Sequence, residues 1–109
     1  MKLTVQHRLV VDDAFWNFGR PILDAHRIGD RVIVIFDYMS FPKPQQARNL
    51  MAYDMTQKLL WVADHPTTDR TDTYVNIISE TPLRVCNFAS LACEIDVETG
   101  KLRNAVFTK

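Results

Sequence analysis

Two segments of the chain, Met51–Trp61 and Cys93–Arg103, share one pattern of residues. Each reads as a strand that ends at an Asp, a short polar turn that contains a Thr, and a Lys-Leu pair that opens a return strand. Two apolar runs joined by a short turn of this kind are typical of a β-hairpin. The repeated pattern therefore predicts that the chain is built from β-hairpins.

The turn of the second segment has a physical explanation. The carboxylate of Asp96 can accept hydrogen bonds from the backbone amides that follow it, and Gly100 can take the positive φ that the end of the loop requires. The first segment has Gln57 in place of this glycine, in a loop that is one residue shorter. Gln57 is therefore expected to carry mild backbone strain.

The remaining chain reads as short strands between turns, with no helical period longer than about two turns. Residues Lys2–Val11 alternate between apolar and polar side chains, which predicts a half-buried strand. Val32–Phe36 is apolar on both faces, which predicts a central strand that is covered on both sides. The segment Ala14–Pro21 is interpreted as a loop or a single helical turn.

The predicted fold is a single all-β domain that spans residues 1–109. We expect about eight or nine short antiparallel strands in a meander, because neighbouring strands in sequence usually pair. A compact sandwich or barrel accommodates these strands. The strand Lys2–Val11 could also pair with the C-terminal strand and close the sheet.

Composition narrows the range of partners. The chain has 13 basic and 13 acidic residues, so its formal net charge is zero. Binding to nucleic acid or to an anionic membrane normally needs a basic face, and we predict neither partner. The N-terminal residues Met1–Arg8 lack the apolar run of a signal peptide, and the sequence has only two cysteines. We therefore expect a cytoplasmic protein.

The residues Ala52-Tyr53-Asp54 and Lys58-Leu59-Leu60-Trp61 resemble the blade repeats of quinoprotein-type β-propellers. The resemblance implies blade-like four-stranded sheets. A closed propeller needs at least about four blades, and this chain has room for two at most. A compact sandwich or barrel of blade-like sheets is favoured over a subunit that closes by oligomerising or over coincidence. The redox cofactor of quinoproteins typically lies against adjacent cysteines, which Cys86 and Cys93 are not, so we expect no cofactor.

The C-terminal half, Arg48–Lys109, is similar to a group of short single-domain bacterial proteins of unassigned function. This resemblance implies a bacterial domain that folds alone. Some bacterial proteins of this size and charge act as immunity partners that block a toxin. An immunity-type role is therefore one form that protein binding can take here.

The two cysteines do not have the spacing of a zinc site, since six residues separate Cys86 from Cys93. If Ala89-Ser90 forms a two-residue hairpin turn, the two thiols lie directly opposite each other and a disulfide is feasible. Two reduced thiols are the favoured alternative in a reducing compartment.

Three histidines are candidates for chemistry. His7 lies on the apolar face of the first predicted strand, where we favour a buried, hydrogen-bonded role over a ligand-binding one. His26 stands alone, and His65 follows Asp64 at a strand end. Neighbours in a strand point to opposite faces, so we predict no acid–base pair there, and no catalytic or metal-binding residue elsewhere.

Aromatic side chains form the strongest functional signal. Phe15, Trp16 and Phe18 lie in one predicted loop, and Tyr38 and Phe41 lie in another. Large apolar side chains in loops either cover the open end of a β core or form a recognition surface.

We favour a protein-binding domain that is not an enzyme, with Trp16, Phe18, Tyr38 and Phe41 at the contact surface, because aromatic residues are enriched at interface centres. The alternative is a small-molecule binder or minor enzyme with a pocket near His7. A third hypothesis is a symmetric oligomer that pairs through an exposed edge strand.

Overall fold

The computed structural model of the protein describes residues 8–42, 45–69 and 71–107. These residues form ten β-strands and one short 3-10 turn, Tyr38–Ser40. The strands are β1 (Arg8–Val11), β2 (Ala14–Asn17), β3 (Ile22–Ile28), β4 (Arg31–Phe36), β5 (Leu50–Asp54), β6 (Leu59–Val62), β7 (Tyr74–Glu80), β8 (Leu83–Asn87), β9 (Leu91–Ile95) and β10 (Leu102–Phe107).

All pairings are antiparallel and join strands that are neighbours in sequence. Strands β3 to β6 form the first sheet in the order β3-β4-β5-β6, and strands β7 to β10 form the second sheet in the order β10-β9-β8-β7. Strands β1 and β2 form a separate hairpin, which we call the N-terminal hairpin. The predicted all-β meander is confirmed, since residues 8–42, 45–69 and 71–107 form ten strands in three sheets and no closed barrel.

The segment Ala14–Pro21 differs from the prediction, because its first residues form β2. Asp12 and Asp13 both have a positive φ, and Val11 pairs directly with Ala14. Two consecutive positive φ angles are typical of the tight turn that joins two strands, which explains why the chain reverses here. The partner of β1 is therefore β2 and not the C-terminal strand. The start of the predicted strand, residues 2–7, lies outside the described residues.

Strand β4 is buried on both faces, as its sequence predicts. Val32, Val34 and Phe36 face the N-terminal hairpin, and their core cluster includes Leu9, Val11, Trp16, Ile22 and Ala25. Ile33 and Ile35 point the other way, because successive side chains of a strand alternate between its faces. The molecule is therefore layered, with the first sheet between the N-terminal hairpin and the second sheet.

The inner core lies between the two sheets. The first sheet and the residue that follows it contribute Ile33, Ile35, Leu50, Ala52, Trp61 and Ala63, and the second sheet contributes Tyr74, Ile77, Leu83, Val85, Cys93 and Ile95. All twelve are buried hydrophobic residues. Burial of this apolar area is the main free energy that holds the sheets face to face.

A buried amide connects the sheets at one corner. The side-chain nitrogen of Asn49 donates to the carbonyl oxygens of Phe36 and Tyr74, at 2.8 Å each. Its side-chain oxygen accepts from the backbone N–H of Tyr74 at 3.1 Å. Asn49 thus gives Tyr74 the pair of hydrogen bonds that a neighbouring strand would otherwise supply.

Two further polar contacts connect the edges of the sheets. The Asp24 carboxylate in β3 accepts the backbone N–H of Ile77 in β7 at 2.8 Å. On the opposite side, Asp64 donates its backbone N–H to the carbonyl oxygen of Gly100 at 3.0 Å and accepts the N–H of Leu102 on its carboxylate at 3.2 Å. These contacts join the sheets on both sides without a continuous ladder.

The two repeated hairpins have the turns that the sequence predicts. The Asp54 carboxylate accepts from the backbone N–H groups of Thr56 and Lys58 at 2.8 and 3.0 Å, and the Asp96 carboxylate accepts from Glu98 at 2.8 Å. The Thr56 side-chain hydrogen bond, followed by these backbone bonds, holds the pKa of Asp54 below its ordinary value. Gln57 and Gly100 both have positive φ angles, of 66° and 78°.

Gly100 has a second role, because it lies directly under the ring of Trp61. A Cβ atom at residue 100 would lie 2.5 Å from Cε3 of that ring. The indole nitrogen of Trp61 also donates to the carbonyl oxygen of Val97 at 3.0 Å. The turn between β9 and β10 therefore covers the Trp61 side chain, and it needs a residue without a side chain at position 100.

We predict that Gly100→Ala destabilises the fold much more than Gly29→Ala. Both glycines have a positive φ, so alanine introduces backbone strain of about 1–2 kcal/mol at either position. Only Gly100→Ala adds a clash with Trp61, since nothing lies within 4 Å of a Cβ at Gly29. Overpacking adds about 1–3 kcal/mol to the loss. Urea unfolding followed by tryptophan fluorescence measures both values, and equal losses would contradict the packing role.

We predict that Asn49→Ala lowers the free energy of unfolding by about 3 kcal/mol, because it leaves buried backbone groups of Phe36 and Tyr74 without partners. Asn76→Ala is the matched control, since Asn76 is an exposed asparagine in β7 and is expected to change stability by less than about 0.5 kcal/mol. Equilibrium denaturation of both variants makes the comparison. An Asn49→Ala loss as small as that of the control would show that the corner contact is dispensable.

Candidate protein-interaction surface

Trp16 lies in the core and is only 5% exposed. It pairs with Leu9 across the N-terminal hairpin, and both side chains face the first sheet. Alternation along β2 points the neighbouring Phe15 outward, where it is 65% exposed. Because this segment is a strand and not a loop, the two aromatics occupy opposite faces, and Trp16 has a packing role.

Phe18 and Phe41 are half-buried against the same core cluster as Trp16. The Phe18 ring lies 5.3 Å from that of Phe36 and 5.0 Å from that of Tyr53. The guanidinium group of Arg20 lies 4.2 Å from the centre of the Phe41 ring, within the range of a cation–π contact. We call the core cluster between the N-terminal hairpin and the first sheet the outer core. Phe18 and Phe41, two of the predicted contact residues, cover its edge and keep part of their surface exposed.

The Tyr38 ring contacts a different aromatic residue, although the Phe41 N–H donates to the Tyr38 carbonyl oxygen at 3.2 Å. The centre of the Tyr38 ring is 6.0 Å from that of Phe88, which is 62% exposed, and the neighbouring Met39 is 60% exposed. The Asp37 carboxylate accepts the Met39 N–H at 2.9 Å and so fixes the short turn that carries these side chains. We call Tyr38, Met39 and Phe88 the apolar rim.

The turn Phe88–Ser90, which carries one rim residue, is held rigidly. The Asn87 side-chain oxygen accepts the N–H groups of Ala89 and Leu91 at 3.1 and 2.8 Å, and Phe88 donates its own N–H to the Thr73 carbonyl oxygen at 2.8 Å. A partner would therefore meet Phe88 on a preformed turn, which reduces the entropy lost on binding.

This turn also corrects the predicted register of the cysteines. It contains three residues and not two, and Ser90 takes the positive φ that closes it. Val85 consequently pairs with Cys93, and Cys86 pairs with Ala92. The thiols point to opposite faces of the sheet, and both are free. Burial raises the pKa of Cys93 to about 11, so its thiol is protonated at neutral pH and is a poor nucleophile.

A polar loop next to the rim is organised around Asp72, which is buried. Its carboxylate accepts from the backbone N–H and the hydroxyl of Thr67 at 3.0 and 2.8 Å. It also accepts from the side-chain nitrogen of Asn87 at 2.7 Å. Every one of these bonds fixes the protein's own chain, so Asp72 acts as an anchor between the loop and the Phe88 turn.

His65 packs its ring on Tyr74, with 4.5 Å between ring centres. Both ring nitrogens are buried and have no hydrogen-bond partner among the described residues. Desolvation lowers the pKa of His65, and the opposing attraction of Asp72 is smaller. The carboxylate of the preceding Asp64 accepts the backbone N–H of Leu102.

The other candidate residues are accounted for as follows. His7 lies outside the described residues. His26 lies between two carboxylates, with Nδ1 2.6 Å from Glu80 and Nε2 3.7 Å from Asp24. Within the described part of the chain, the His, Cys, Asp and Glu side chains form no group of three or more that could hold a metal ion.

A shallow groove of about 290 Å³ lies at the end of the second sheet where the β7–β8 and β9–β10 turns meet. Its carboxylates include Glu80 and Asp96, and both are paired, with His26 and with Arg103 at 3.2 Å. These two carboxylates are therefore engaged within the protein, and the groove is not part of the rim.

We predict that the fold loses stability as the pH falls from about 7.5 to about 5, and that His65→Phe reduces this loss. Burial holds the pKa of His65 in the folded state below its ordinary value of 6.5, so the unfolded chain binds a proton at a higher pH than the folded protein does. The unfolded state is therefore favoured by acid over this range. Urea unfolding across the range gives the slope for each protein.

His65→Gln serves as a second variant, since it also removes the titrating group. Identical pH slopes for the wild type and both variants would contradict a neutral, buried His65. The remaining histidines contribute equally to all three proteins, so the difference between slopes isolates His65.

Comparison with known proteins places the chain in a family. The model of a domain of unknown function, DUF7957, matches residues 3–107. No curated protein matches the chain, and no solved structure does either. No helix among the described residues has the length and apolar character to cross a bilayer. Since the match spans nearly the whole chain, the protein belongs to the DUF7957 family.

Proposed function

We propose that this DUF7957 domain is a non-enzymatic module that binds a protein partner through the apolar rim. The observation that carries the proposal is the exposure of Phe88 and Met39, at 62% and 60%, beside the ring of Tyr38. Aromatic residues and methionine are enriched in the centres of protein interfaces, where desolvation of large side chains supplies most of the binding free energy.

The rigidity around the rim supports the same proposal. A large apolar side chain on a mobile loop can fold back onto its own protein, but Asn87 and Asp37 fix the two turns that hold Phe88 and Met39 outward. Phe18 and Phe41 extend the proposed surface only where they remain exposed at the edge of the outer core. Trp16 supports the fold by packing between the N-terminal hairpin and the first sheet, and it is not proposed to contact the partner.

The cellular setting is part of the proposal. We propose a bacterial cytoplasmic protein. Both cysteines are free and lie on opposite faces of the second sheet, which supports a reducing compartment. The bacterial origin rests on the resemblance of Arg48–Lys109 to short bacterial proteins. An immunity-type partnership with a toxin is the specific form of protein binding that we propose. The similarity of the hairpins to quinoprotein-type propeller blades remains a prediction at the level of sequence.

The test is affinity capture with the tagged wild type and with Phe88→Ser, Met39→Ser and Phe15→Ser. We expect the wild type to capture one stoichiometric partner. Phe88→Ser and Met39→Ser should each weaken its binding about tenfold or more, because each removes a contact at the interface centre. Phe15→Ser is the matched control, since Phe15 is an exposed phenylalanine on the N-terminal hairpin and does not belong to the apolar rim. Circular dichroism confirms that each variant is folded.

Equal capture by the wild type and both rim variants would contradict the proposed surface. Absence of any partner would instead favour the alternative of a small-molecule site near His7. A thermal-shift screen against metabolites addresses that alternative, because a ligand that binds the folded state raises its melting temperature.

A further inference from the structure

Strand β10 is an edge of the second sheet, and among the described residues no strand pairs with it on the side away from β9. Two other edges make polar contacts between the sheets, because Asp24 of β3 accepts from β7 and Asp64, which follows β6, accepts from the start of β10. From Asn104 to Phe107, every residue of β10 is exposed, and the four include no charged residue or proline. Natural sheet edges usually carry such residues to prevent pairing.

The register shows which backbone groups of this edge are open. In an antiparallel ladder, successive residues direct their N–H and C=O groups alternately toward and away from the neighbouring strand. Leu102 directs its N–H away from β9, toward Asp64. Leu102 pairs with Ile95, and after an irregularity between Leu102 and Asn104, Ala105 pairs with Cys93 and Phe107 with Leu91. Ile95, Cys93 and Leu91 are alternate residues of β9, so their backbone groups all point away from β10. The backbone groups of Ala105 and Phe107 therefore point away from β9, to the open side, as those of Leu102 do.

From this arrangement we propose that β10 pairs antiparallel with β10 of a second copy of the chain, around a two-fold axis at Val106. In this register Ala105 of each copy exchanges two backbone hydrogen bonds with Phe107 of the other, so four bonds form in total. The interface is isologous and closed, because the same three residues contribute on both sides.

Side-chain sizes and charges fit a second copy in this register. Phe107, which is 72% exposed, lies opposite the small Ala105 of the other chain, and the two Val106 side chains, 52% exposed, lie opposite each other on the outer face. Closely opposed β-branched residues stabilise an antiparallel pair. The formal net charge of the chain is zero, so the copies do not repel each other at long range.

The test is sedimentation velocity over a concentration series. We expect the wild type to move from a mass of 12.6 kDa toward twice that value as concentration rises. Val106→Lys and Val106→Glu each place like charges directly opposite on the axis and are expected to weaken association about tenfold or more. An equimolar mixture of these two variants restores association, because the opposed charges then attract. Loss of folding in the variants cannot produce this rescue.

Two further variants complete the design. Ala105→Pro removes an outward N–H donor and leaves the ladder with β9 intact, so it weakens association while the domain stays folded. Val10→Lys is the matched control, because it makes the same change at an exposed valine in β1, and it leaves association unchanged.

Three outcomes would overturn the inference. They are a wild type that stays monomeric up to about 1 mM, a dimer that persists in Val106→Lys and Ala105→Pro, and a mixture of charge variants that fails to associate. The inference is independent of the proposed function, since Phe88→Ser leaves the dimer unchanged and Ala105→Pro leaves partner capture unchanged. Failure of either proposal is therefore distinguishable from failure of the other.

Discussion

The arrangement of the two sheets depends on the side-chain amide of Asn49. A sheet edge that enters a protein core needs partners for its backbone groups, because a buried group without one is costly. Asn49 supplies them for Tyr74, at the point where β7 begins, and connects the same residue to the end of β4. The position of Tyr74 then determines where the inner core closes, since its ring is fully buried between the sheets.

The layering of the molecule follows from β4. A strand that is apolar on both faces must be covered twice, and the second sheet covers only one face. The N-terminal hairpin covers the other, with Leu9 and Trp16 against Val34. Among the described residues, nothing covers the outer face of the second sheet in the same way, and this face carries polar residues such as Arg84 and Glu94. This asymmetry explains why Trp16 of the N-terminal hairpin packs inward, whereas Phe88 and Phe107, at one end of the second sheet, remain exposed.

Much of the fold follows from local patterns in the sequence, and the exceptions have physical causes. Strands β3 to β10 are recognisable from apolar runs and from turn residues such as Asp54 and Gly100. Strand β2 is not, because an Asp-Asp turn is an uncommon hairpin signal and aromatics beside a glycine resemble a loop. The three-residue turn before β9 is hidden because Ser90 takes a positive φ that serine rarely adopts.

The long-range contacts could not be predicted from the sequence. Asn49 bonds to residues 13 and 25 positions away, and no local pattern distinguishes it from a surface asparagine. Tyr38 was identified as a surface candidate, but its partner Phe88 reads only as a turn residue, and their contact spans the two sheets. The sequence therefore predicts the Tyr38 side of the candidate surface and not the Phe88 side, since the surface depends on how separate turns meet in space.

The packing of Gly100 under Trp61 has a consequence for the order in which the protein forms. These residues lie far apart in sequence, so the indole cannot be fully buried until the C-terminal hairpin is in place. During synthesis, β6 leaves the ribosome before the β9–β10 turn does, so Trp61 stays exposed until that turn follows. Burial of the first sheet is thus tied to formation of the second, and a product truncated before Gly100 would display an apolar edge that quality-control proteases and chaperones can recognise.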